Sequence, residues 1–133
     1  KSLVLSARIN TVKRVNEELN KRMPGVSDTI TSRTKQDCRL DILRNKQVTV
    51  GITRIAREGL DEPSLDTIII LEPFSDPYTL QQTVGRALRI CSTKKAPQVH
   101  ILAANFDPCI RMMFSMYHNF RKWSPQPEMV IHQ

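Results

Sequence analysis

Residues 78–91 read YTLQQTVGRALRIC, and this stretch has the spacing of a helix with two different faces. The apolar positions of one face are Leu80, Val84, Leu88 and Cys91. The opposite face carries no acid, and its positions are Gln82, Gly85, Arg86 and Arg89. Two arginines one turn apart, beside a glycine that leaves the backbone bare, suit a phosphate chain. The alternative interpretation is a basic surface helix without a ligand.

The overall composition predicts one globular domain with an anionic partner. The chain has 133 residues, of which 40% are hydrophobic and 25% charged, enough for a single core. Lys and Arg number 20 against 13 acids, and the net charge of +7 favours nucleic acid as the partner. No apolar run is long enough to predict a membrane span. The opening KSLVLS has neither Met nor a signal-peptide pattern, so we expect a fragment of a longer intracellular protein.

The cysteines and histidines give no metal-binding pattern. Cys38, Cys91 and Cys109 are odd in number and contain no C-x-x-C pair, which favours reduced thiols. The three histidines are scattered along the chain. We therefore expect no metal site held by this chain alone.

Apolar runs alternate with helical patterns along the chain. The predicted strands are residues 2–6, 28–32, 48–52, 67–71 and 99–103. Predicted helices begin after Asn10 or Thr11, run over residues 34–45, cover 78–91, and follow an Asp107 cap. The final helix is expected to bury one apolar face, formed by Ile110, Met113, Phe114, Tyr117 and Phe120. Trp123 after it is expected to pack on the domain, with base stacking as the alternative.

This alternation predicts an α/β fold with a mainly parallel sheet and helices on both faces. The most hydrophobic run, TIIIL at 67–71, is expected to be the central strand. Ligands of such sheets bind outside the carboxyl ends of the strands. Three loops fit that position: the loop of Arg8, residues 53–61, and the entrance to the arginine helix.

Four segments together resemble the second RecA-like domain of superfamily 2 helicases. These segments are SLVLSAR at 2–8, Gln36-x-x-Arg39, TRIAREGLD at 53–61, and QTVGRALR at 82–89. The resemblance implies a RecA-like three-layer α/β/α domain over residues 1–123, with a sheet of five or six strands. Residues 124–133 contain two prolines and are expected to fray. The string EGLDEPSLDTIIILEP is most similar to the branch of the phage recombination helicase and the transcript-release helicases of large cytoplasmic DNA viruses.

Roles for individual residues follow from this resemblance. Arg86 and Arg89 would reach the γ-phosphate of ATP as arginine fingers, and Gln82 would approach the nucleotide. Gly59 and Asp61 would contact its ribose and phosphate edge. Contacts to the nucleic-acid backbone would come from Arg8, Thr53 and Arg39. The structural alternatives are surface charges at Arg8 and Arg39, a turn residue at Asp61, and a helix cap at Thr53.

A glycine-rich phosphate loop is missing from this sequence, because none of the four glycines precedes a lysine. ATP and Mg²⁺ would therefore be held mainly by an N-terminal RecA-like domain, and the isolated chain is expected to be a monomer without ATPase activity. Expected partners are that domain and DNA, with RNA as an alternative. A viral replication site in the cytoplasm is the favoured location, the nucleus the second. The competing functions are a non-enzymatic nucleic-acid-binding module and a partner-binding scaffold.

Overall fold

The computed structural model describes residues 1–56, 58, 60, 62–87, 96–123, 128, 130 and 132, and for residues 86 and 87 only the main chain. Its strands are β1 (Ser2–Ser6), β2 (Ser27–Ile30), β3 (Val48–Ile52), β4 (Thr67–Ile70) and β5 (Gln98–Ile101). Its helices are α1 (Ile9–Arg22), α2 (Gln36–Asn45), α3 (Thr53–Ala56), α4 (Pro77–Ala87) and α5 (Asp107–Phe120). The predicted alternation of strands and helices is confirmed.

The five strands form one parallel sheet in the order β2-β3-β1-β4-β5. The prediction that residues 67–71 form the central strand is wrong, because β1 occupies the middle and β4 lies beside it. Both strands pair with a neighbour on each side. A continuous apolar run indicates that a strand is buried on both faces of the sheet, but it does not indicate which position the strand occupies. The chain begins with β1 in the middle of the sheet, places β2 and β3 on one side of it, and then adds β4 and β5 on the other side.

The helices cover the two faces of the sheet unequally. Val12 of α1 packs against Val4 and Val50 on one face. On the other face, apolar residues of α2 to α5 pack against the alternate positions of the strands. The fully or nearly buried members of that larger core include Leu3, Leu5, Ile30, Leu43, Ile68, Ile70, Leu80, Val84 and Met116. The three-layer arrangement is therefore present, with one helix against four among the described residues.

The predicted helix caps are displaced by one or more residues. Arg8, rather than Asn10 or Thr11, precedes the first turn of α1, and no side chain caps that helix. Phe106 occupies the corresponding position of α5, so Asp107 lies inside the first turn, where its charge still suits the helix dipole. Helix α2 begins at Gln36, two residues later than predicted. Cap positions depend on how the preceding loop enters the helix, which residue preference alone does not determine.

The buried face of α5 also differs from the predicted one. Met116 is fully buried, whereas Phe114, which we expected to face the core, is 50% exposed. Trp123 packs edge-on against Phe120, with ring centroids 4.8 Å apart. The expected packing role of Trp123 is thus confirmed. The apolar positions of α5 span a sector wider than the core contact, so periodicity alone left the choice of face open.

Candidate nucleotide and nucleic-acid site

The sheet register brings three predicted site loops to the same edge. Ser6 is paired with Ile52, and Leu5 is paired with Ile70, so β1, β3 and β4 end at the same level. Because the strands are parallel, the loops that follow them emerge side by side. Arg8, Thr53 and the entrance to α4 therefore lie along one carboxyl edge of the sheet.

Helix α4 is fixed at its first turn by Asp76. The Asp76 carboxylate accepts hydrogen bonds from the Thr79 N–H at 3.0 Å and the Tyr78 N–H at 3.3 Å, and from the Thr79 hydroxyl. These bonds satisfy amide donors that a helix start leaves without partners. Leu80 and Val84 are 1% and 0% exposed, which confirms the first half of the predicted apolar face. Leu88 and Cys91 lie outside the described residues.

The polar side of α4 is open in the described part of the chain. Gln82 is half-buried, and Gly85 is exposed. A Cβ atom added to Gly85 would meet no described atom within 4 Å, so this glycine leaves free space beside the helix backbone. Arg86 belongs to α4 by its main chain, one turn after Gln82. Its side chain and all of Arg89 lie outside what the structure describes.

One buried hydroxyl on α4 has no hydrogen-bond partner. Thr83 is 2% exposed, and its Oγ1 atom is the unsatisfied buried side-chain oxygen in the described residues. A buried hydroxyl without a partner lowers stability, because its hydration has been lost without replacement. Thr83 was not singled out from the sequence, since threonine in a helix usually satisfies its hydroxyl locally.

The segment predicted to contact the nucleotide begins with a short helix. Thr53 is half-buried and is the first residue of α3, while Ile55 and Ala56 are each 3% exposed and anchor that turn in the core. Gly59 and Asp61 lie outside the described residues. Leu60 and Leu65 are buried.

Glu62 stabilises the end of this segment. Its carboxylate accepts hydrogen bonds from the Ser64 hydroxyl at 2.7 Å and the Ser64 N–H at 3.1 Å. Burial by itself would raise the pKa of Glu62, but the bonds from Ser64 and the charges of Lys1 and Arg44 outweigh it, so the pKa is lowered. Glu62 is therefore a structural acid immediately after the predicted ligand Asp61.

The guanidinium of Arg39 already has two partners in this chain. Its Nε–H donates to the Thr34 carbonyl at 2.9 Å, and NH1 donates to the Glu58 carboxylate at 2.8 Å. The Arg39 side chain is only 14% exposed, whereas that of Glu58 is 50% exposed. Arg39 thus connects α2 to the segment after α3, and Glu58 was not among the predicted site residues.

The backbone around Arg8 is held by Glu72, which lies just after β4. Glu72 accepts a hydrogen bond from the Ser6 hydroxyl at 2.8 Å and another from the Ala7 N–H at 3.0 Å. The Arg8 N–H in turn donates to Ser6 Oγ at 3.1 Å. The Arg8 side chain is exposed, and none of the described residues gives its guanidinium a hydrogen bond or ion pair. An acid directly after a buried strand was the sequence signal that could have identified Glu72.

The described residues line a small cavity and a larger groove. A cavity of about 20 Å³ beside Arg39 and Glu58 is too small for a nucleotide. A groove of about 420 Å³ instead runs along α1, lined by Thr11, Arg14, Val15, Glu18, Leu19 and Arg22. In the described ranges, no three His, Cys, Asp or Glu side chains form a group that could hold a metal ion. No helix there is both long and apolar enough to span a membrane.

Comparisons with known proteins identify a family and similar folds. Residues 1–91 match the family described as the helicase conserved C-terminal domain. The chain is 29% identical over 113 residues to "Putative helicase 22" of Sulfolobus islandicus filamentous virus (isolate Iceland/Hveragerdi). That alignment covers 82% of this chain but 20% of the viral protein, so the chain spans about a fifth of its relative's length.

Two solved structures share the fold at low sequence identity. The C-terminal part of the Fun30 ATPase domain has a TM-score of 0.72 and 15% identity, covering 87% of this chain and 38% of that one. The C-terminal domain of the DEAD-box protein Dbp5 has a TM-score of 0.71 and 17% identity, covering 90% and 69%. These structures confirm the predicted RecA-like fold. The family match covers residues 1–91, which is more than half of the chain. The chain therefore belongs to the helicase conserved C-terminal domain family.

Proposed function

We propose that this chain is the second motor domain of an ATP-dependent superfamily 2 helicase or translocase that acts on DNA. The observation that carries the proposal is the shared carboxyl edge, where Arg8, Thr53 and the capped start of α4 lie side by side. A motor domain of this kind contacts nucleic acid and nucleotide from neighbouring loops. RNA remains the second candidate for the strand. The relative named as a putative helicase of a virus favours a viral protein. We further propose a replication site in the cytoplasm first and the nucleus second.

In this proposal, Gln82 and Arg86 of α4, together with Arg89, which lies outside the described residues, face the nucleotide. Arg86 and Arg89 act on the γ-phosphate, and Gln82 lies one turn before Arg86 on the same helix. The open space beside Gly85 fits the approach of a phosphate chain to the helix. Guanidinium groups stabilise the charge that develops on a transferred phosphoryl group. Gly59 and Asp61 would complete the nucleotide contact.

The arginines assigned here have donors that fit the phosphates of ATP. Among the described residues, no carboxylate cluster for a cation occurs. The sequence has no glycine-rich phosphate loop, and we assign Mg²⁺ and the attacking water to a P-loop domain, with which this domain would form the complete ATPase. Thr53 and Arg8 are assigned to the nucleic-acid backbone. Arg39 uses two of its five N–H donors within the domain, and its charge is paired with Glu58, so we assign it first to holding the segment after α3.

The isolated 133-residue chain provides the first test. We expect it to fold as a monomer, to hydrolyse no ATP, and to bind DNA weakly with an affinity that falls steeply as salt rises. Fluorescence anisotropy over a salt series and a phosphate-release assay measure these properties. ATP turnover above that of the matched Arg86→Ala chain would contradict the assignment to half of a motor. DNA binding that does not depend on salt would contradict the backbone contacts.

A further inference from the structure

The Glu72 carboxylate connects two loops of the carboxyl edge. One oxygen accepts the Ser6 hydroxyl at 2.8 Å, and the other accepts the Ala7 N–H at 3.0 Å. Ser6 is 0% exposed, so water cannot replace Glu72 as the partner of its hydroxyl. One side chain after β4 therefore fixes both a side chain and a main-chain group of the loop after β1.

The same contacts fix the backbone of Arg8. Its N–H donates to Ser6 Oγ at 3.1 Å, and its carbonyl accepts the Val12 N–H at 3.1 Å in the first turn of α1. The main chain of Arg8 is thus held on both sides, while its side chain is exposed. An arginine on a fixed backbone reaches a phosphate with less loss of conformational entropy than one on a mobile loop.

Glu72 is also close in sequence to the start of α4. Glu72 and the capping residue Asp76 are four positions apart, and the buried Pro73 and the half-buried Phe74 lie between them. Phe74 packs against the larger core, and its backbone nitrogen lies 3.2 Å from Met116 Sδ of α5. Glu72 therefore lies between Arg8 and α4 in a continuous series of contacts.

We propose that Glu72 is a positioning residue that holds the Arg8 loop in a fixed relation to α4, so that nucleic-acid binding and phosphate contact occur on one rigid edge. This inference rests on the proposed function. The charge of Glu72 argues for a geometric role, because a carboxylate beside a phosphate-binding arginine repels the phosphate. If Glu72 bound the phosphate through its charge, that charge would have to be positive.

The test uses the full-length protein, in which this domain is joined to its P-loop domain. ATP turnover is measured against DNA concentration for Glu72→Ala, Glu72→Gln and a matched control, Glu18→Ala. Glu18 is an exposed acid on α1 paired with Lys21, so its replacement makes the same charge change away from the edge. Melting curves of all variants separate unfolding from a change in function.

We expect Glu72→Ala to raise the DNA concentration that gives half-maximal stimulation of ATP turnover about tenfold. The reason is that Arg8, once displaced, loses much of its binding to DNA. Turnover at saturating DNA should stay within about twofold, because Asp76 still caps α4. Glu72→Gln should recover most of the effect, since its amide can bond both Ser6 and Ala7. Tighter DNA binding by both variants would show that Glu72 acts through its charge and would overturn the proposal.

A double-mutant cycle with Arg8→Ala identifies the route of the effect. If Glu72 acts through Arg8, the double variant should bind DNA within about twofold of Arg8→Ala alone. If the effects of the two changes on DNA affinity instead multiply, the two residues act independently and the proposal is overturned. If Arg8→Ala has no effect while Arg86→Ala still abolishes turnover, the role of Glu72 fails and the proposed function stands. If Arg86→Ala has no effect, the proposed function itself fails.

Discussion

The regions around Arg8 and Arg39 place two similar arginines in opposite situations. Both were predicted to contact a nucleic-acid backbone. The Arg39 side chain is 14% exposed, and its guanidinium donates to Thr34 and Glu58 inside the domain. Arg8 has a fixed main chain and an exposed side chain. This contrast indicates that an arginine is available to a ligand when neighbouring residues hold its backbone and offer no acceptor to its guanidinium.

The largest effect on stability is expected from Arg39→Ala. The change removes two hydrogen bonds of a guanidinium that is mostly buried, although the half-exposed Glu58 can regain water. We expect the free energy of unfolding to fall by about 1–2 kcal/mol in urea denaturation. Arg33→Ala, an exposed arginine in the preceding turn, is the matched control and should change it by less than about 0.5 kcal/mol. Equal effects of the two changes would remove the contrast between Arg39 and Arg8.

A smaller loss is expected from Glu62→Gln, in the segment that Arg39 supports. At neutral pH the change weakens the bonds from Ser64 and should cost about 1 kcal/mol. The pKa of Glu62 is lowered in the folded chain, so its contribution is present above the ordinary value of 4.5 and is lost as pH falls below it. Stability measured against pH should therefore bring the variant and the parent chain together in acid. A difference that stays constant across this range would contradict the role given to the carboxylate.

Thr83→Val should raise stability slightly. Valine has nearly the same shape and removes a buried hydroxyl without a partner, so we expect a gain of up to about 1 kcal/mol in the isolated chain. Thr79→Val is the contrasting variant, because the Thr79 hydroxyl is bonded to Asp76 and its loss should destabilise α4. If Thr83→Val destabilises the isolated chain, its hydroxyl has a partner in solution.

The smallest effect on stability is expected from Arg8→Ala, below about 0.5 kcal/mol, as for an exposed charge. Its effect should appear in DNA binding instead. Loss of one phosphate contact should reduce the slope of log affinity against log salt by roughly 0.9 for duplex DNA. Arg22→Ala, an exposed arginine at the other end of α1, should leave that slope unchanged. Equal slopes for the Arg8 variant and the parent chain would show that Arg8 is an ordinary surface charge.

The sequence predicted the elements of the fold better than their arrangement. Strands β1 and β3 occur at the predicted residues, because apolar runs report burial on both faces of a sheet. The position of β4 was not predictable in this way, since the order of strands depends on crossovers between distant segments. The buried face of α5 was predicted in part: Phe120 is buried as expected, whereas Phe114 is exposed, because the aromatic residues of the helix extend beyond the contact with the core.

The candidate site residues were named from the resemblance, and their roles, including those of Arg8, Thr53 and Gln82, stay predictions. The register of the sheet places the loop of Arg8, the start of α3 at Thr53 and the entrance to α4 on one edge. The bond between Ser6 and Glu72 joins residues 66 positions apart, and Arg39 meets Glu58 across 19. Local patterns carry no information on such pairs. The expected roles of Arg86, Arg89, Gly59 and Asp61 stay predictions.

The most direct test of the central claim is the turnover of ATP by the full-length protein with Arg86→Ala or Arg89→Ala. An arginine finger acts mainly on the transition state, so kcat should fall by about 10³–10⁵ while the affinity for ATP changes far less. Arg→Lys should recover little, because an ammonium lacks the fork geometry of guanidinium. Arg14→Ala, on the exposed side of α1, serves as the matched control and should keep normal turnover. If both alanine variants fold normally and retain near wild-type kcat, Arg86 and Arg89 are surface charges. The domain then does not supply the catalytic arginines of a motor.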